Sequence, residues 1–218
     1  MQRQETIKKI IKTAFGLFVF AFGEYITIQG NVGLTPWDAL SMGISNYVPL
    51  SFGQVHVTSA LIIIVIDLLL KEKIGIGTIL DALLVGTFVD MFTAILPFNG
   101  VTNKFVGLVL LILGMLVMAI GQLIYMAGGL SCGPRDSLLI AVGKRLPKVP
   151  IGYVDIMMKI VLVIVSKIIG GPIGFGTLVA MFGLGSAMQV VFTISKFEPR
   201  NVVHENFIDS IKKLVKND

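Results

Sequence analysis

Apolar residues fill six stretches of this chain with few interruptions, at 14–28, 55–70, 76–96, 105–126, 151–169 and 175–194. A helix needs about 20 residues to cross a hydrocarbon core roughly 30 Å thick, and these stretches come close to or reach that length. The pattern predicts an all-α membrane protein with six transmembrane helices. Two further segments, PWDALSMGISNYVPL and PRDSLLIAVGKRLP, are too polar for a span and too apolar for a solvated loop. Each opens on a proline followed two residues later by aspartate and closes near a second proline, Pro49 or Pro147, which is the signature of a helix start and stop. About a dozen residues at 1.5 Å each make some 18 Å, half a bilayer, so a re-entrant or interfacial half-helix is expected in each place.

The two segments belong to a repeat. At an offset of 98 residues GLTPWDAL meets SCGPRDSL and AFGEYITIQG meets AIGQLIYMAG. After one inserted residue Gly53 meets Gly152, GIGT meets GFGT, and Gly86 meets Gly185. The shared residues are those that set backbone geometry, spread along the whole of both halves, which marks a duplication. Each copy carries three spans, an odd number, so the second must enter the membrane from the opposite face. The expectation is a 3+3 inverted-topology repeat: a basic N-terminus at 1–12, repeats at 13–97 and 104–195, and a tail at 196–218.

Composition agrees. Charged residues make up 14% of the chain and hydrophobic ones 55%, where a soluble domain carries about 25% charged residues. The net charge of +5 sits in short tracts beside the spans and has no aromatic module of a nucleic-acid binder. With the N-terminus in the cytoplasm, the bases of 1–12, 71–73, 135–148 and 196–216 all fall inside, which is the positive-inside arrangement with both termini cytoplasmic. In the tail, ENFIDSIKKLVK predicts a short amphipathic helix on anionic lipid or on the protein's own inner face. A single cysteine, Cys132, reads as a packing residue.

Ionisable groups within spans are expensive and mark functional sites. In the repeat Glu24 pairs with Gln122, His56 with Asp155, and Asp90 with Gln189. Helix N-termini present free N–H groups and partial positive charge to a ligand. The candidate solute-binding residues are therefore Glu24, Pro36, Trp37, Asp38, Gln122, Pro134, Arg135 and Asp136; Glu24, His56, Asp90 and Asp155 are the candidates for proton or ion coupling. Each has a blander reading. Asp38 and Asp136 would first cap their helices, and Glu24 would be a neutral group bonded to a neighbouring helix. Asp155 with Lys159 would be a structural i,i+4 pair, and His56, near the outer end of its span, would be a wet, ordinary histidine. Arg135 would pair with Asp136 or simply add to the inner positive charge, and Asp67 and Asp81 are weaker candidates. Glycines 75, 77, 86, 174, 176, 183 and 185 are expected to form the interface between the repeats. There is no metal-ligand motif, and GIGIGT lacks the lysine of a phosphate-binding loop, so no cofactor, metal or enzymatic activity is expected.

GLTPWDALSMGIS, SFGQVHV and GIGT resemble the YczE/YyaS/YitT-type bacterial integral membrane proteins, with the YczE branch the nearer likeness, over nearly all of the chain. The resemblance implies a bacterial inner-membrane protein and carries no substrate. Inverted repeats place a solute near the midplane between the halves. The reading is a small secondary transporter for an unknown small molecule or ion, with the bilayer as its partner and a homodimer or partner membrane subunit as its expected assembly. A channel or facilitator, and a substrate-binding or accessory subunit of a larger transport or export system, are the alternatives.

Overall fold

A computed structural model describes residues 2–98, 100–198 and Phe207. Among them are eight helices and no strand: α1 (Gln2–Gln29), α2 (Pro36–Ser45), α3 (Phe52–Leu69), α4 (Ile76–Ile95), α5 (Lys104–Met126), α6 (Pro134–Arg145), α7 (Ile151–Ile168) and α8 (Phe175–Ile194). The last four repeat the first four in order; α3 and α7 have 18 residues each, and α4 and α8 have 20 each. Both half-helices form where the Pro-Asp elements predict them. Proline occupies the first turn of each, and the Thr35 hydroxyl caps α2 by accepting from Asp38 N–H. The turns before them match too: Gly33 and Ser131, equivalent in the repeat, both hold positive φ, at 108° and 94°.

Five helices are long and apolar enough to cross a membrane, within Arg3–Gln29, Phe52–Leu69, Ile76–Ile95, Lys104–Met126 and Phe175–Ile194. Length and composition thus give five spans rather than the six expected. The sixth stretch, α7, carries Asp155, Lys159 and Lys167, and its polarity has a place in the site described below. Large apolar side chains such as Leu61, Ile62 and Val65 on α3 and Phe175, Leu178 and Phe182 on α8 are exposed on the outside of the bundle, as lipid-facing positions are.

The two halves meet chiefly along α1 and α5, which run antiparallel. Gly16, Gly23 and Gly30 face Gly121, Gly114 and Gly107 in turn, seven residues apart on each helix. A Cβ at Gly23 would fall 2.6 Å from Met118 N, and the other five would be as badly crowded. Helices in lipid have no hydrophobic force drawing them together, so this close backbone approach supplies the dispersion and weak hydrogen bonding that hold the seam. The expectation that the third-span glycines form this interface is corrected. Gly86 packs against Gly53 within one half, Gly183 touches Met115, and Gly185 meets nothing; Gly77, Gly174 and Gly176 touch the other half, through Leu130, Ser131, Val32 and Gly33.

Around the central seam the contacts are exchanged between halves. The short helix α2 packs on α7 and α6 on α3, while α4 lies on α1 and α8 on α5. Val32 O accepts from Gly176 N–H at 2.8 Å, and its counterpart Leu130 O accepts from Gly77 N–H at 2.7 Å. The expected tail helix lies outside the described residues except for Phe207, whose N–H donates to Ile74 O at 3.1 Å.

Because α1 and α5 already touch through backbone, Gly23→Ala or Gly114→Ala should each cost about 1–3 kcal/mol by overpacking. Gly185→Ala, in open space, should stay within about 0.5 kcal/mol of the parent. Thermal unfolding in detergent or nanodiscs checks this, and an unchanged midpoint in Gly23→Ala and Gly114→Ala would show that the seam is not the tight contact described.

Candidate functional site

The exchange of α2 and α6 brings both half-helix tips to the centre of the bundle, where they face a cavity of about 280 Å³. Its lining draws on both halves: Thr35, Trp37, Asp38, His56 and Asp81 from the first, and Gln122, Tyr125, Arg135, Asp136, Asp155 and Lys159 from the second. Here the apolar bundle gathers most of its interior charge.

Arg135 organises the cavity. Its guanidinium reaches across to the first half, with Nη1 3.2 Å from Asp38 Oδ1 and Nη2 3.3 Å from His56 Nδ1, and it lies 5.3 Å from the centre of the Trp37 ring. The pairing expected with Asp136 is therefore corrected. Equivalence in the repeat sets Arg135 against Trp37 and Asp38 against Asp136, and the geometry satisfies the cation with the aspartate and the aromatic ring of the opposite copy. The capping role expected of the Asp38 carboxylate is also corrected. Thr35 supplies the cap, and the Asp38 oxygens instead accept from Arg135 and, at 2.5 Å, from the Thr35 hydroxyl.

His56 is not the wet histidine expected at a span end. It lies one turn into α3, buried, with Nδ1 3.2 Å from Oε1 of Glu24, which is wholly buried. Neither Glu24 oxygen makes a well-aligned hydrogen bond to the protein, so what ties it to a neighbouring helix is the contact with His56 on α3. Nδ1 can donate to Glu24 or accept from Arg135, not both. The group Glu24, Asp38, His56 and Arg135 thus holds two carboxyls against one fixed cation, so one proton or one cation balances it. Ligand atoms of Glu24, Asp38 and His56 lie within 4.8 Å of one another, close enough to share a metal ion. The guanidinium is already bonded to two of the three, so a fixed positive charge fills the place such an ion would take.

Pro36, Trp37, Asp38, Gln122, Arg135 and Asp136 are brought to the cavity. Pro134 opens α6 as a buried residue. Asp155 reaches the cavity in an ion pair with Lys159 at 2.7 Å. Asp90 does not join them: its Oδ1 accepts from Gly53 N–H at 2.9 Å and its Oδ2 from the Ser51 hydroxyl, tying the start of α3 to α4. Asp81, a weaker candidate in the sequence, is brought to the cavity. Its repeat counterpart is Ala180, so symmetry does not point to it, yet it stands on the cavity wall against Gly133. Thr35 carried a signal, a hydroxyl residue directly before a helix-opening proline. Cys132, in the turn before α6, lies 3.4 Å from the Ser137 hydroxyl.

A model for a family of unknown function, DUF6198, matches residues 7–193. The "Uncharacterized membrane protein YczE" of Bacillus subtilis is 31% identical over 190 residues, 86% of either chain. An uncharacterized protein of Haemophilus influenzae is 26% identical over 86% of this chain and 84% of its own. The YyaS protein of B. subtilis is 27% identical over 84% of this chain and 92% of its own. No solved structure matches the chain. With its apolar helices and a membrane-protein relative, it is a multi-pass membrane protein, and it belongs to the DUF6198 family together with YczE and YyaS.

Proposed function

We propose that this protein is a small secondary transporter of the bacterial inner membrane, built as a 3+3 inverted repeat of six spans with α7 as the sixth and both termini in the cytoplasm. The observation that carries the reading is the charged cavity at the bundle centre, lined from both halves by the tips of two half-helices. Discontinuous helices meeting at a repeat interface are where such carriers hold their solutes. The antiparallel α1–α5 seam supports inversion, since equivalent helices of an inverted pair run in opposite directions. Membership of α7 among the spans is supported by its charges, because Asp155 and Lys159 neutralise each other toward the cavity and away from lipid.

The solute class that suits the cavity is a small organic cation. Asp38 is taken by Arg135 and Asp155 by Lys159, whereas Asp81 and Asp136 have no ion pair among the described residues. With four aspartates against Arg135 and Lys159, the lining carries an excess of acid, which in a low-dielectric wall favours a cation over an anion. Glu24, behind His56, is the coupling group that takes and releases the balancing proton.

Reconstituted protein should take up small amines or quaternary ammonium ions in preference to neutral or anionic solutes. Asp81→Asn with Asp136→Asn should lower uptake by at least about tenfold, while Glu24→Gln should retain exchange and lose accumulation driven by a proton gradient. Anion transport would overturn the solute class, gradient-driven accumulation in Glu24→Gln would remove its coupling role, and a folded protein that moves no solute would overturn the transporter. Separately, Arg135→Ala strands buried Asp38 and should cost about 3–5 kcal/mol, most of it recovered by adding Asp38→Asn. Full stability of Arg135→Ala alone would refute the cross-half ion pair.

A further inference from the structure

The two halves match element by element except along one seam. In the first half α3 lies against α4, with Gly53 and Gly86 in backbone contact so that a methyl on either would run into the carbonyl oxygen of the other. Asp90 locks the contact through Gly53 N–H and the Ser51 hydroxyl. In the second half the counterparts Gly152 and Gly185 are exposed, and a Cβ on either would meet nothing within 4 Å. The helices α7 and α8 do not pack along each other as α3 and α4 do. Asp90 is replaced by Gln189, whose amide donates to Thr193 on its own helix at 3.3 Å and leaves α7 alone.

The unzipped seam is continuous with the cavity. Asp155, Met158 and Lys159 line the cavity from α7, and Leu184, Gly185 and Met188 line it from α8. Lys159 Nζ spans the gap to Met181 O at 3.3 Å while also pairing with Asp155. Two equivalent seams thus stand in different arrangements, one shut and one open, and packed interfaces of this kind tend to be bistable rather than continuously deformable.

We propose that the α7–α8 seam is the gate of the cavity: it closes by bringing Gly152 onto Gly185, with the Gln189 side-chain oxygen accepting from Gly152 N–H as Asp90 does from Gly53, while the α3–α4 seam parts on the opposite face. This rests on the transporter reading above and names how access to that site is controlled. The Gly152 N–H sits in the first turn of α7, where a helix leaves its N–H groups without intrahelical partners, so a donor is ready for Gln189. Motion of α7 carries α2 with it, because the Asn46 amide donates to Gly170 O at 3.4 Å and the Ser166 hydroxyl to Pro36 O at 3.5 Å. The gate is thereby linked to Asp38, and through Asp38 to Arg135. The two latches differ in strength: Asp90 is a carboxylate taking two donors, Gln189 a neutral amide, and Pro150 stands where Ser51 supplies a hydroxyl. Charge-assisted bonds are about twice as strong as neutral ones, so without solute the protein rests with α3–α4 shut and α7–α8 open. With the termini in the cytoplasm, that is the inward-facing state.

The test is a pair of spin-label distance measurements on the full chain in nanodiscs, in a Cys132→Ser background. Labels go at Met157→Cys and Ser186→Cys across α7–α8 and, in a second sample, at the equivalent Thr58→Cys and Thr87→Cys across α3–α4. All four sites are exposed. Each pair is expected to show two distance populations with reciprocal weights, the 157–186 pair favouring the long distance. Asp90→Asn should shift the two pairs in opposite senses by about fivefold, the gap between a charge-assisted and a neutral bond; Ser51→Ala, which weakens the same latch, should give the same reciprocal shift and serves in its place if Asp90→Asn does not fold. A single long distance across α7–α8 in both parent and latch variants overturns the gate. That result with solute uptake intact condemns the gate alone, whereas moving seams without uptake would leave the gate standing and remove the transporter.

Discussion

The bond between Arg135 and Asp38 is the constraint around which the interior is arranged. A guanidinium cannot be neutralised by losing its proton, so inside an apolar bundle it must find a carboxylate and enough acceptors to satisfy its fork. The half-helices make this available. Each opens with a proline whose missing N–H would have had no partner in any case, and each places a polar pair at its tip. Since α2 packs on α7 and α6 on α3, the two tips meet at the centre, and the cation of one copy finds the acid of the other. Trp37 occupies in the first copy the position of Arg135 in the second, and lies 5.3 Å from it. The duplication has diverged into a complementary pair where two like charges would have repelled each other.

That central polarity is tolerable because the surrounding seam is held by other means. Along α1 and α5 the backbones approach at three successive glycine pairs, so cohesion between the halves does not rest on the charged cavity alone. In the Glu24–His56–Arg135 arrangement the imidazole stands between an acid and a guanidinium, with Nδ1 beside Glu24 and both ring nitrogens within 3.5 Å of Arg135.

Much of this was legible in the sequence, and the omissions have physical reasons. The half-helices could be read because Gly, Pro and Asp act locally, through φ, missing donors and capping. Five of the six apolar stretches form helices of nearly the expected bounds, whereas α1 begins at Gln2, within the basic segment expected to precede it, and α7 is too charged to count as a span on composition. The α1–α5 seam was missed because matching the chain to itself in parallel pairs Gly23 with Gly121 as equivalents, whereas the contact is antiparallel and pairs Gly23 with Gly114. Arg135 finding Asp38, and His56 lying buried against Glu24, are contacts between residues far apart in the chain that no spacing rule encodes. Asp81 was undervalued because its counterpart is Ala180, and symmetry is silent where only one copy is polar. Asp90 shows the opposite error: a charge in a span, opposite Gln189, looked like a coupling group and is a latch between two helices.

The central claim is that the cavity between the half-helix tips is a solute site. The direct measurement is an experimental structure in a lipid nanodisc, determined with a small quaternary ammonium ion present and again without it. Density for the cation between Asp81, Asp136 and Trp37, absent from the ligand-free map, is the predicted result. A cavity filled by a lipid acyl chain in both maps, or closed over by packed side chains, would contradict the claim.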